Sequence, residues 1–187
     1  MKKIKLAIVL SLVSLSFYAQ NASVEKSIFG IQTGFLGVWV HNEARLSNQF
    51  ALRSEIGLDT GIQGSDSFNN TKFVLSPTIT LEPRWYYNLD KRLEKGKSIK
   101  GNSGNFLSIK TSFHPDWFVI SNRDNVQVTP DISIIPTWGI RRTIGKHFTY
   151  ETGIGLGYVS YFPKDINTFG KVNKMGLNLH LRIGYQF

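Results

Sequence analysis

The sequence predicts an all-β chain that closes into an antiparallel up-and-down transmembrane β-barrel of eight strands. Three observations carry that expectation. The chain begins with a cationic start and a short apolar run, apolar and polar residues then alternate with a period of two through most of the remainder, and no stretch beyond the start offers a membrane-spanning helix.

The opening segment is Met1-Lys2-Lys3-Ile4-Lys5, followed by an apolar run over residues 6–17 broken only by serines, and then by Tyr18-Ala19-Gln20-Asn21-Ala22. A charged start, a short apolar stretch and small residues near its end make a secretory signal peptide. The run is too short to span a bilayer, which takes roughly 20 apolar residues as a helix. Residues 1–20 are therefore assigned to the signal peptide, with Ala19 preferred over Ala22 as the cleavage point, and residues 21–187 to a single barrel domain.

Composition narrows the class. The 187 residues are 41% hydrophobic, 13% aromatic and 19% charged, a balance too apolar for disorder. The absence of cysteine rules out a disulfide scaffold, a thiolate metal site, a cysteine nucleophile and a lipidated cysteine. The formal charge of +9 invites a nucleic-acid partner, but three lysines lie in the leader. Without residues 1–20, 19 Lys and Arg face 13 Asp and Glu, a net +6, and no nucleic-acid partner is expected.

Each strand follows from the same alternation, since successive strand side chains point to opposite faces. Phe29, Ile31, Thr33, Phe35, Gly37 and Trp39 suggest a first strand, blurred because the opposite face also carries Leu36, Val38 and Val40. Phe50, Leu52, Ser54, Ile56 and Leu58 mark the next, and Leu75, Pro77, Ile79, Leu81, Pro83, Trp85 and Tyr87 another. Further strands follow on Leu107-Ile109-Thr111-Phe113, on Ile132-Ile134-Pro136-Trp138-Ile140 and on Phe148-Tyr150-Thr152-Ile154-Leu156-Tyr158. The last alternates Met175, Leu177, Leu179, Leu181, Ile183, Tyr185 and Phe187 against Gly176, Asn178, His180, Arg182, Gly184 and Gln186. Single-chain bacterial barrels have an even number of strands, so a short extra strand at residues 24–31, turning at Gln32-Thr33-Gly34, is expected before Trp39. Pro77, Pro83 and Pro136 cannot donate to a ladder and weaken pairing where they stand.

Aromatics cluster where these strands would cross membrane interfaces: Trp39 with His41, Trp85-Tyr86-Tyr87, Phe113 with Trp117, Phe148 with Tyr150, Tyr158 with Tyr161-Phe162, and Tyr185 with Phe187. Residues 42–49 and 142–147 suit short turns at one end, and residues 60–72, 114–130 and 163–174 suit longer loops at the other. Residues 88–104 are long for a turn and carry five cations against two acids, the pattern of a solvated flexible connection that could touch anionic head groups or wall polymer.

The polar strand faces carry Arg53, Glu55, Asp59, Glu82, Arg84, Lys110, Arg141, Glu151, His180 and Arg182. An eight-stranded barrel is just wide enough for side chains to fill it. Unpaired charge there is costly, so these residues are expected to form a paired lattice that closes the barrel. A competing reading makes Glu82, Arg84, Glu151 and Arg182 an ion or proton path.

No enzyme is expected. His41, His114, His147 and His180 form no metal-ligand pair at helix or strand spacing, and neither a phosphate loop nor a nucleophile elbow is present. No catalytic residue, metal or cofactor is assigned. The one local arrangement worth testing is His114 with Ser112 or Ser121, as in barrel enzymes that act on lipid A.

The terminal Tyr185-Gln186-Phe187 resembles the C-terminal signature of bacterial outer-membrane barrels, where the barrel-assembly machinery reads a final aromatic residue. With the leader and the strand pattern, residues 24–187 look like a small outer-membrane barrel of the OmpA/OmpX type. Glu82-Pro83-Arg84-Trp85-Tyr86-Tyr87-Asn88 and Asn102-Ser103-Gly104-Asn105-Phe106 are similar to stretches of uncharacterised barrels of this kind. The resemblance implies a Gram-negative outer membrane, contact with lipid and lipopolysaccharide, insertion signalled by Tyr185 and Phe187, and a monomer with a structural or surface-interaction role. It implies no defined activity, and because the sequence stops at the last strand, wall anchoring like that of the two-domain members is not expected.

Overall fold

The computed structural model describes residues 22–35, 37–63, 72–122, 128–163 and 172–187. The segment read as a signal peptide and parts of the three longer connections lie outside the described residues. Eight long strands form one antiparallel ring: β1 (Ser27–Gly34), β2 (Gly37–Arg45), β3 (Phe50–Gln63), β4 (Lys72–Trp85), β5 (Gly104–His114), β7 (Asp131–Ile144), β8 (Phe148–Tyr161) and β9 (Val172–Gln186). Each pairs with its neighbour in sequence, and β1 pairs with β9, so the sheet has no free edge among its staves. The two-residue β6 (Ile120–Ser121) adds to the end of β4.

The first hairpin corrects the single strand expected over Phe29 to Trp39. The chain reverses between Gly34 and Gly37, which pair with each other, rather than at Gln32-Thr33-Gly34. Paired residues share a face, so the turn shifts the alternation by one. Phe29 and Ile31 point outward, 59% and 41% exposed, whereas Trp39 and His41 are buried at 3% and 2%. Gly37 takes φ 145°, and a Cβ there would meet the Leu58 carbonyl, so only glycine fits the turn. β2 then continues to Arg45, which shortens the predicted turn at residues 42–49 to residues 46–49.

The prolines act as their chemistry requires. The β4–β5 ladder is interrupted between Leu81 and Arg84, beside Pro83, and the β7–β8 ladder between Ile134 and Thr137, beside Pro136. Each keeps its pairing on the other side, Leu52 opposite Pro83 and Ile109 opposite Pro136.

One end of the ring is capped. Residues 88–104, expected to be a solvated loop, fold into α1 (Leu89–Glu94) and a 3₁₀ turn (Lys100–Asn102). Leu89 packs with Ala22, Val24, Ala51, Tyr86 and Phe106 in a small apolar cluster inside the mouth. The N-terminal segment is tied in beneath it: Ala22 N donates to Asp90 Oδ1 at 3.2 Å, Val24 N to the Asn48 carbonyl at 2.8 Å and Glu25 N to Asn102 Oδ1 at 2.7 Å. The strand ends that lead into the longer connections lie at the other end. We call these the closed and open ends.

Outside and inside are inverted relative to a water-soluble barrel. On β9, Leu177, Leu179, Leu181 and Ile183 are 51–68% exposed, while His180 and Arg182 between them are buried. Around the closed end the outward aromatics touch one another: Phe50 stacks on Trp85 at 6.1 Å, Trp85 meets Tyr87 at 6.0 Å, and Tyr185 contacts Phe148 and Phe187 at 5.6 and 5.4 Å. Three residues grouped with these aromatics from sequence, Trp39, His41 and Tyr86, instead point into the barrel.

Candidate functional site

The interior divides into two levels. Near the closed end, four guanidinium groups and four carboxylates, all buried, meet from strands β2, β3, β4, β7, β8 and β9. Glu151 is the hub. Its carboxylate accepts from Arg84 Nη2 at 2.8 Å and Nη1 at 3.0 Å, and from Arg141 Nη1 at 3.3 Å, with Arg53 Nη1 at 3.6 Å and His180 Nε2 at 3.4 Å. Arg84 also donates to Glu82 at 2.7 Å, and Ser108 Oγ donates to the same carboxylate at 2.6 Å. Arg53 pairs with Glu55 and donates to Gln32 Oε1 at 2.6 Å, and Arg182 reaches Glu55 at 2.8 Å.

These cations also lie on aromatic faces, with Arg84 4.2 Å from the Phe106 ring centroid and Arg182 3.8 Å from that of Trp39. A guanidinium is planar and weakly hydrated, so it tolerates this burial better than an ammonium. Gly139 makes the stacking possible, because a Cβ there would collide with the Phe106 ring.

Glu43 is the fourth carboxylate and was not identified from sequence. It accepts from Tyr86 Oη at 2.8 Å and Asn102 Nδ2 at 2.5 Å, which joins the lattice to the closed-end cap. Arg141 Nε reaches the same cap at the Gly101 carbonyl, 2.9 Å away. Burial and the Glu43 carboxylate push the Tyr86 phenol above its ordinary range, so it remains a donor. The signal for Glu43 lay in the sequence: once the reversal between Gly34 and Gly37 shifts the phase, Trp39, His41 and Glu43 fall on one inward face.

The structure thus brings Arg53, Glu55, Glu82, Arg84, Arg141, Glu151, His180 and Arg182 together. Asp59 and Lys110 stand apart, half-buried, at the second level. There His114 is held between two carboxylates, Nε2 to Asp59 at 2.9 Å and Nδ1 to Asp131 at 3.0 Å, and Trp39 Nε1 donates to Asp59 at 2.5 Å. Lys110 makes no ion pair among the described residues. A cavity of about 700 Å³ opens here toward the open end, lined by Lys110, Ser112, Asp131, Ser133, Asn178 and His180 among others. Its volume is that of a ligand pocket, but cations and carboxylates share its wall, so charge selects no ligand class.

Of the Ser–His arrangements considered from sequence, His114 with Ser112 does not form. Both His114 nitrogens are taken by carboxylates, and Ser112 Oγ pairs with Thr80 Oγ1 at 2.8 Å. Among the described residues no group of three or more His, Asp or Glu converges as metal ligands. Tyr185 and Phe187, the predicted insertion signal, lie on the outer surface at the closed end. Tyr185 stacks on His147 at 5.1 Å, and Phe187 N donates to the Phe29 carbonyl at 2.9 Å.

No protein-family model matches the chain, and neither a curated protein nor a solved structure is significantly similar to it.

Proposed function

We propose that this protein is an integral outer-membrane β-barrel of the OmpA/OmpX kind with a sealed interior, serving a structural or surface-interaction role rather than conduction or catalysis. The observation that carries the reading is the inversion of the barrel: the buried residues of its strands are mostly charged or polar, and most of the large hydrophobic side chains of those strands are exposed. An apolar surface that encircles a molecule is unstable in water and suited to hydrocarbon. The aromatic ring at the closed end suits a membrane interface, and the leader in residues 1–20 suits export.

The short turns, the cap and the C-terminal Phe187 then face the periplasm, and the longer connections with the cavity face outward, where surface contacts are made. Lipid and lipopolysaccharide surround a monomer, inserted by the barrel-assembly machinery through Tyr185 and Phe187. The buried lattice fills the barrel's waist and leaves no room for a water column.

The test is electrophoresis of an outer-membrane fraction, boiled against unboiled. A compact band that shifts on heating and cofractionates with the outer membrane is expected, with no conductance in planar bilayers and an unchanged lipid A mass spectrum on overexpression. A soluble periplasmic protein without a shift would overturn the membrane reading. Conductance altered by Glu82→Ala or Arg182→Ala would replace the sealed barrel with a narrow channel.

A further inference from the structure

The net charge of the chain is not spread over the molecule. After residue 20 it amounts to +6. The buried lattice contributes nothing, because four guanidinium groups meet four carboxylates. The excess gathers at the closed end. The cap carries Lys91, Arg92, Lys95, Lys97 and Lys100, and the strand feet add Lys26, Arg45, Arg142 and Lys146. Only Glu25, Asp90 and Glu94 oppose these nine cations, a net +6 that equals the whole excess.

Hydrogen bonding strengthens the asymmetry. Asp90 is occupied inward, accepting from Ala22 N at 3.2 Å and from Gln49 Nε2 at 2.6 Å. All the cap lysines are exposed. The collar also sits at a defined depth. Gln49, which donates to Asp90 on α1, accepts from the indole Nε1 of Trp85 at 3.2 Å, so a single side chain separates the aromatic ring from the cap. Arg45 lies five residues before Phe50, and Lys146 two before Phe148. Aromatic side chains mark the edge of the hydrocarbon, and flexible lysines just beyond them reach phosphate groups.

We infer that the closed end is a docking collar for anionic phospholipid head groups in the leaflet that surrounds it. This inference rests on the membrane reading above. The phosphodiester charge of a lipid such as phosphatidylglycerol is the complementary partner, and clusters of four to eight cations next to a membrane bind such surfaces. The collar favours lipids bearing net negative charge over zwitterionic ones. It also gives insertion a direction, because the closed end is the one held by an anionic leaflet.

The experiment refolds the full mature chain into vesicles of phosphatidylcholine alone or with about one-third phosphatidylglycerol, at low salt, and follows the rate of appearance of the heat-shifting band. Folding is expected to be at least about tenfold faster with phosphatidylglycerol, and the advantage to vanish in 0.5 M salt, where screening shortens the reach of charge to a few ångströms. The variant K91Q/K95Q/K97Q/K100Q should fold in phosphatidylcholine at the normal rate and lose most of the advantage. A matched variant, K72Q/K164Q/K171Q/K174Q, should keep it. If both variants lose it equally, net charge rather than the collar is responsible and the inference fails. It also fails if the cap variant keeps the advantage, or if that variant instead loses binding to cell-wall sacculi while its lipid response is unchanged. A wild-type chain that gives no heat-shifting band in any vesicle overturns the membrane reading itself, a distinct result.

Discussion

The two levels of the barrel interior use the same kinds of residue to opposite ends. Toward the closed end, eight charged groups are buried and cross-linked, and each carboxylate faces at least one guanidinium. Toward the open end, Asp59, His114 and Asp131 form a single bridge beside a cavity, and Lys110 has no ion-pair partner among the described residues. The difference lies in access to water. A charge sealed from water must find its counter-charge in the protein, while one lining a cavity is solvated in place. Ionisable residues are therefore structural at one level and replaceable at the other.

Substitutions can break or sharpen that contrast. The largest effect is expected from Glu151→Ala, which removes two hydrogen bonds from Arg84 and leaves Arg84 and Arg141 sharing only Glu43, 3.5 Å from each. A loss of about 3–5 kcal/mol in urea unfolding, followed by the heat-shifting band, is expected. A loss under about 1 kcal/mol would show that water reaches the lattice and that the two levels are alike.

Next comes Gly139→Ala, which tests packing at the closed level without touching a charge. The added Cβ drives into the Phe106 ring beneath Arg84. A cost of about 1–3 kcal/mol is expected in the same unfolding experiment. No change would mean that the ring moves freely and that the lattice is not close-packed.

At the open level, His114→Ala removes the bridge between Asp59 and Asp131. Because water replaces the lost hydrogen bonds at this half-buried site, the expected cost is only about 1 kcal/mol. A larger cost would extend the sealed level upward to the mouth. Smallest of all, Lys110→Gln should change stability by no more than about 0.5 kcal/mol. If it matches Glu151→Ala, the distinction drawn between the levels is wrong.

The closed eight-stranded ring and most inward charges were legible because a strand reports its faces through a period of two. That signal is local and survives without knowledge of partners. It failed where the phase slipped. Leu36, Val38 and Val40 blurred the first strand because the chain reverses between Gly34 and Gly37, and the slip hid Glu43 and misplaced Trp39 and His41. The cap was illegible for another reason. Lys91, Arg92, Lys95 and Lys97 give a charged, loop-like composition, while the residues that seat it, Leu89, Gly101 and Asn102, are few and scattered. Their burial follows from contacts with Glu43, Arg141 and Val24, far away in the chain.

By itself the sequence determined most of the strands, the direction their faces take and the approximate balance of interior charge, since all of these follow from order along the chain. Only the tertiary structure decided which carboxylate meets which guanidinium, that Glu151 is the hub, that residues 88–104 close one end and that a cavity remains at the other. Pairing across a barrel depends on register and on the width of the ring, and both are fixed only when the eighth stave meets the first.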